Sequence, residues 1–167
     1  MFPTIDTMRT RGERRHQRER AFTLAELSIV VLIISILAAV SVPRYVNALL
    51  HYQADAAARR IKVDLEYLRR QARQASASRS VTFNVNDHSY TMVGVADVNH
   101  TGRSDYIVNL KVTPYKSTLN SVNCGGDSTL VFNGYGKPDS SATIVVGSGT
   151  YTKTVTVEST AGSVSIQ

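Results

Sequence analysis

Residues 22–42 read FTLAELSIVVLIISILAAVSV, an apolar run that carries a single charge, Glu26. A bilayer core is about 30 Å thick, and a helix needs roughly 20 apolar residues at about 1.5 Å each to span it. The run is therefore long enough for one transmembrane helix. An unpaired carboxylate is costly in hydrocarbon. We therefore expect the negative charge of Glu26 to have a positively charged partner.

The positive charge of the chain is concentrated on both sides of this run. The net charge is +6, and six arginines with no lysine precede residue 21. Basic residues exceed acidic ones by five over residues 44–79, whereas residues 80–167 carry a net charge of −1. The positive-inside rule then places the N-terminus in the cytoplasm and the C-terminal part outside. A cleaved secretory signal is disfavoured, because its apolar stretch is only about 7–15 residues long.

The segment Ala21-Phe22-Thr-Leu-Ala-Glu26, between an arginine-rich leader and an apolar helix, resembles the type IV prepilin cleavage and methylation motif. The resemblance implies cleavage by a prepilin peptidase between Ala21 and Phe22, followed by N-methylation of Phe22. Members of this class keep a glutamate four residues after the phenylalanine and often a proline at the end of the membrane segment, as Glu26 and Pro43 do here. The residue before the cut is usually glycine, so Ala21 predicts slower processing.

Cleavage would create a cationic amine within about one helical turn of Glu26. A buried carboxylate is retained more readily when an amine pairs with it. In a filament, Glu26 of one subunit would pair with the Phe22 amine of a neighbour and set the axial register, as a lone polar residue does in a coiled-coil core. The alternative is that Glu26 reaches the cytoplasmic headgroups of the membrane.

Beyond the apolar run, one stripe of small and apolar residues follows helical spacing. Its members are Val46, Leu50, Ala54, Ala57, Ile61, Leu65, Leu68, Ala72 and Ala75. The arginines of this segment lie off the stripe, which predicts a solvated basic face. Because Pro43 is the only helix breaker between residues 22 and 74, we expect one helix of about 55 residues with a kink at Pro43.

From Ser80 onwards the pattern is typical of β-strands separated by Asn, Asp, Gly and Pro. The predicted strands are 81–85, 90–95, 106–112, 129–132, 143–146, 152–157 and 163–166. The expected fold class is α+β, a long N-terminal helix packed on a mainly antiparallel sheet, as in pilins. The expected divisions are a removed leader at 1–21, a transmembrane and filament-core helix at 22–42, an amphipathic helix at 43–79 and a globular β domain at 80–167.

The C-terminal part resembles the GspH/FimT-type minor pseudopilins. The matching pieces are residues 131–138, 143–146, 154–158 and 161–166. Some members of this subgroup bind DNA with arginines that flank the final strand, where this chain has Ser163 and Ser165. Because phosphate contacts depend largely on Lys and Arg, nucleic acid is not an expected partner.

Residues 97–105 read DVNHTGRSD, with oxygen-bearing side chains at alternate positions and a glycine at the sixth, as at the start of a calcium loop. The position of the bidentate glutamate holds Val108, so no cofactor is expected; the alternative is calcium bound by Asp97, Asn99 and Asp105. Cys124 is interpreted as an unreactive loop thiol. Without a catalytic motif in the sequence, the chain is predicted not to be an enzyme.

Together these patterns predict a minor pseudopilin of a type II secretion system in the bacterial inner membrane, single-pass, with a periplasmic C-terminal domain. The predicted partners are the prepilin peptidase, other pseudopilins in a hetero-oligomeric filament, the inner-membrane assembly platform and the lipid bilayer. Two alternatives stay open. One is a minor pilin of a type IV pilus for adhesion, motility or DNA uptake, and the other is a bitopic membrane protein unrelated to pili.

Overall fold

A computed structural model describes residues 22–96 and 104–167. The described elements are one helix and eight strands: α1 (Leu24–Ala75), β1 (Arg79–Asn84), β2 (Ser89–Val93), β3 (Tyr106–Asn109), β4 (Thr118–Cys124), β5 (Thr129–Phe132), β6 (Ala142–Ser148), β7 (Tyr151–Val157) and β8 (Val164–Ile166). The expected leader at 1–21 lies outside the described residues. The chain divides into two compact units after Ser41.

Residues 22–41 are helical from Leu24 and exposed throughout. The segment is long and apolar enough to cross a membrane, with none of it buried. It is therefore compatible with single-pass anchoring. α1 continues through Pro43 as one helix; the kink expected at that residue stays a prediction.

In the unit that begins at Val42, the strands form two antiparallel four-stranded sheets. Sheet A has the order β3-β2-β1-β5, and sheet B has the order β4-β6-β7-β8. The α+β fold class is confirmed, with two sheets where one was expected. β4 was not predicted, because its sequence TLNSVNC is polar and a register shift between Leu119 and Ser121 breaks its alternation.

The C-terminal half of α1 packs on both sheets and closes one apolar core. Six members of the predicted stripe are buried: Ala54, Ala57, Ile61, Leu65, Leu68 and Ala72. They meet alternate residues of the strands, which point to one face of each sheet. These include Val81, Phe83, Tyr90, Leu130, Phe132, Ile144, Val146 and Val155. The helical period in the sequence therefore predicted the helix side of this core, except at Val46, Leu50 and Ala75, which are not buried.

α1 ends at a Schellman motif that is built without glycine. The Ala77 N–H donates to the Ala72 carbonyl at 3.2 Å, and the Ser76 N–H donates to the Arg73 carbonyl at 3.2 Å. This pattern requires a left-handed residue after the helix, and Ser76 supplies it with a φ of 47°. The chain turns there into β1 and begins sheet A.

Candidate functional site

α1 begins with a capping residue directly after the predicted cleavage point. Phe22 and Thr23 precede the helix, and the Thr23 carbonyl accepts from the Leu27 N–H at 3.1 Å. The Thr23 hydroxyl accepts from the Glu26 N–H, also at 3.1 Å. Thr23 and Glu26 thus have the spacing of a Thr-x-x-Glu capping box, in which the bond to the Thr23 hydroxyl is formed and the Glu26 carboxylate does not return a bond to the Thr23 N–H. Phe22 is 76% exposed, whereas Ala21 lies outside the described residues.

The carboxylate of Glu26 is exposed, and it makes no hydrogen bond or ion pair to another residue within 22–96 or 104–167. It lies in the first helical turn, where the partial positive charge of the helix end stabilises an anion. This position gives Glu26 a local structural reason to be acidic, which the sequence interpretation had missed. The signal was the spacing of Thr23 and Glu26 in the sequence.

The surface that follows Glu26 is almost entirely apolar. Every residue from 27 to 41 is exposed, and the polar members of this stretch are Ser28, Ser35 and Ser41. Two of its polar side chains are satisfied within the helix, because Ser28 donates to the Leu24 carbonyl at 2.9 Å and Ser35 donates to the Val31 carbonyl at 2.7 Å. A continuous apolar surface of this length is compatible with a lipid or protein environment.

Of the three predicted calcium ligands, the structure describes only Asp105. Its Oδ1 accepts a hydrogen bond from the Gly94 N–H at 2.9 Å and so ties the end of β2 to the chain entering β3. Asp97 and Asn99 lie outside the described residues. Among the residues described, no group of three or more His, Cys, Asp or Glu side chains could hold a metal. Calcium binding in this loop stays a prediction.

A buried polar cluster connects α1 to sheet A. Asp64 is 5% exposed and Tyr90 is 1% exposed. The Asp64 Oδ2 accepts from the Tyr90 hydroxyl at 2.5 Å and from the Arg60 Nε at 2.9 Å, and Arg60 also donates to the Tyr106 hydroxyl. Burial raises the pKa of Asp64, and the hydrogen bond from Tyr90 and the charge of Arg60 oppose that rise only in part. The cluster therefore positions α1 but carries a cost for its buried charge.

The basic face of α1 is more than the solvated surface expected from the sequence. Arg69 donates to the Gly136 carbonyl at 3.1 Å and to the Ala161 carbonyl at 2.6 Å. Arg73 donates to the Tyr135 carbonyl at 2.9 Å. These arginines hold the β5–β6 and β7–β8 turns against the helix. Their carbonyl partners lie more than 60 positions away in sequence, so no local pattern could have predicted the contacts.

Comparison with known proteins gives a sequence match at the N-terminus and a structural match over most of the chain. Residues 16–42 match the family described as "Prokaryotic N-terminal methylation motif". No curated protein matches the chain.

The structural match is to the type IV minor pilin FimU of Pseudomonas aeruginosa in two crystal forms. At 13% identity, the P21 form gives a TM-score of 0.54 and covers 70% of this chain and 89% of FimU; the P65 form gives 0.50, with 68% and 91%. The resemblance to type IV pilin-like proteins is thus confirmed: the chain combines a prepilin-type methylation motif with a pilin fold.

Proposed function

We propose that this chain is a prepilin that is cleaved between Ala21 and Phe22, N-methylated at Phe22 and assembled as a minor subunit of a pilin-type filament. One observation carries the proposal: the methylation motif at residues 16–42 coincides with the apolar first part of α1, none of which is buried. A membrane anchor alone would need the apolar surface but not the motif.

The position of Glu26 gives the proposed cleavage a physical consequence. Cleavage leaves a positive amine on Phe22, next to the helix end that already carries a partial positive charge. The amine would lie just beyond Thr23, the capping residue, which is itself about 4.5 Å along the axis from residue 26 at about 1.5 Å per residue. A carboxylate on a neighbouring subunit would neutralise it away from water, and the resulting pair would exist only at the correct axial offset.

The same helix would serve two environments in succession. Before assembly, residues 22–42 would anchor the subunit in the inner membrane, with the arginine-rich leader in the cytoplasm and the β domain in the periplasm. After cleavage, the apolar surface would leave the lipid and pack against the helices of other subunits. The predicted partners are therefore the prepilin peptidase, the assembly platform and other subunits of the filament.

Our first assignment of the filament is the pseudopilus of a type II secretion system, in which polymerisation drives protein export. Its support is the resemblance of residues 131–166 to the GspH/FimT-type minor pseudopilins. A type IV pilus is the second candidate, and the fold of FimU, itself a type IV minor pilin, favours it. Both candidates require the same processing at Phe22.

The processing step is tested by mass spectrometry of the N-terminus of the mature protein from its native membrane. N-methylated Phe22 is the expected first residue. An intact Met1 would instead indicate a bitopic membrane protein unrelated to pili, and would reject the proposal.

The choice of filament is tested by deleting the gene. Loss of protein export with intact surface pili would support the secretion pseudopilus. Loss of pili with normal export would assign the chain to a type IV pilus. Complementation with the unaltered gene controls for effects on neighbouring genes.

A further inference from the structure

Two open pockets lie along α1 beside β8, the edge strand of sheet B, and together they define what we call the groove. One end is lined by Glu66, Arg69, Arg70, Arg73, Ser163 and Val164. The other end is lined by Asp55, Arg59, Lys62, Val63, Lys153 and Ile166. The start of β8 faces residues 66–73 of the helix, and its end faces residues 55–63. The strand and the helix therefore run in opposite directions along the groove.

The outer edge of β8 is available for backbone pairing. Ser163 and Gln167 face β7: the Glu158 N–H donates to the Ser163 carbonyl at 3.0 Å, and Gln167 exchanges two hydrogen bonds with Thr154. In an antiparallel pair the intervening residues alternate, so the N–H and C=O groups of Val164 and Ile166 point away from β7. No described strand lies beyond β8 in this sheet.

The wall of the groove is strongly basic. Six of its side chains are cationic and two are anionic. Arg59 pairs with Asp55 at 2.7 Å, and Lys62 approaches Glu66 at 4.0 Å. Four positive charges remain in excess. Among them, Arg70 is exposed and makes no hydrogen bond or ion pair with another residue of the described ranges.

The groove also contains apolar surface. Val63 is 53% exposed on the helix side, and Ile166 is half-buried on the strand side. Apolar side chains beside cations suit a segment that combines apolar or β-branched residues with acidic ones.

We propose that this groove binds an extended acidic segment of a partner protein as an additional strand of sheet B, paired with Val164 and Ile166. In a strand, alternate side chains share one face, so acidic residues at every second position would all face the cations of α1. The backbone would supply affinity through the strand edge, and the charges would supply selectivity.

A peptide strand fits this groove better than a nucleic acid does. A strand satisfies both the outward N–H and the outward C=O groups of β8, whereas phosphate oxygens cannot donate to a carbonyl. The proposal concerns the β domain and does not depend on which filament the subunit enters.

The test measures binding to the full chain in detergent micelles by fluorescence anisotropy. The probe is a labelled peptide of alternating threonine and glutamate, about ten residues long, which matches the strand period. We expect it to bind, and we expect its affinity to fall with added salt. Two control peptides, one with lysine in place of glutamate and one with N-methylated backbone amides along one edge, should not bind.

Arg70→Glu should weaken binding of the acidic peptide by about tenfold. Lys111→Glu is the matched control, because it makes the same charge change at an exposed position after β3, outside the groove, and it should bind as the unaltered chain does. Amide exchange of residues 163–167 should slow when the peptide is bound. Equal binding of the N-methylated peptide, no effect of Arg70→Glu, or tighter binding of a thymidine oligonucleotide at the same site would overturn the proposal.

Discussion

The hydroxyl of Thr23 caps α1 by accepting a hydrogen bond from the backbone N–H of Glu26 at 3.1 Å. Glu26 lies in the first turn of this helix, where an acidic side chain stabilises the helix start through the partial positive charge there, without any partner subunit. The acidic residue of the apolar run therefore has two competing explanations, a local interaction with the helix end and an intersubunit ion pair. The two explanations predict different behaviour for variants at these positions.

Glu26→Gln removes the negative charge of residue 26 and keeps the hydrogen bond from its backbone N–H to the Thr23 hydroxyl. Glutamine also occupies the fourth position of capping boxes, so this variant should insert into the membrane normally. It cannot neutralise the Phe22 amine of a neighbour, so we expect both Glu26→Gln and Glu26→Ala to lose incorporation into filaments. The measurement is the fraction of subunit that sediments with sheared filaments, relative to the membrane fraction.

Thr23→Ala is the matched control for that experiment. It removes the cap, at a cost of about 1 kcal/mol to the helix start, and keeps the carboxylate. We expect it to assemble. If Glu26→Gln assembled normally while Thr23→Ala did not, the ion-pair explanation would be wrong, and assembly would depend on the capped helix start instead.

The buried pair of Asp64 and Tyr90 predicts a loss of stability when either group is left without its partner. Tyr90→Phe removes the hydroxyl that donates to Asp64 Oδ2. A buried polar group that loses its partner costs about 1–3 kcal/mol, so the free energy of unfolding should fall by about that amount. Urea unfolding of the full chain in detergent measures it. Tyr106→Phe, nearer the surface, should cost less.

The raised pKa of Asp64 predicts the pH dependence of stability. Because the folded state holds this proton more tightly than the unfolded state, the contribution of Asp64 is fully present below its ordinary pKa of 3.8. It is lost as pH rises through the higher pKa of the folded state. The unaltered protein should therefore lose stability relative to Asp64→Asn as pH rises from acid towards neutrality. A constant difference between the two unfolding curves would contradict the shift.

The helix stripe and the cluster around Asp64 show what the sequence could and could not predict. Ile61, Leu65 and Leu68 follow the helical period, and all three are buried as expected. Asp64 lies between them in sequence, but its partner Tyr90 comes from β2, 26 positions later. A local pattern places a residue on a face of a helix, whereas the partner across the core depends on the register of the whole sheet.

The same limit applies to β4. Its polar sequence and the register shift after Leu119 conceal the strand period, and it forms because it pairs with the strongly β-prone strand β6. Sequence reasoning therefore recovered the elements with regular patterns, the α+β class and the N-terminal motif. It missed the division into two sheets and the carbonyl contacts of Arg69 and Arg73.

The Schellman motif at Ser76 predicts a stabilising substitution. Ser76 has a φ of 47°, and a left-handed conformation is more costly for serine than for glycine. Ser76→Gly should raise the free energy of unfolding by about 0.5–1 kcal/mol. Thermal unfolding of the two chains under one condition measures the difference, and a lower melting temperature would contradict the prediction.

Gly134 lies against the same helix end, and replacing it should destabilise the fold, whereas Ser76→Gly should stabilise it. A Cβ added there would lie 2.8 Å from the carbonyl carbon of Ser76 and 2.9 Å from its oxygen. Because both atoms belong to backbone, neither can turn aside. Gly134→Ala should therefore cost about 1–3 kcal/mol. Gly126→Ala is the contrasting variant: its new Cβ meets no atom within 4 Å, but its φ is 110°, so its cost would come from backbone strain, which Gly134 does not carry.

Cys124 should be protected in the folded protein, where the sequence had predicted a loop thiol. It ends β4 and is 3% exposed. Burial, with the nearby charges of Asp127 and Asp139, raises the pKa of Cys124 from 9.0 to about 11. At pH 8 the thiolate fraction is then about 100-fold lower than for a free cysteine. We expect a thiol reagent to react with the folded chain at least that much more slowly than with the chain in denaturant. Rapid labelling without denaturant would contradict this prediction, because it would show that β4 opens readily and exposes Cys124.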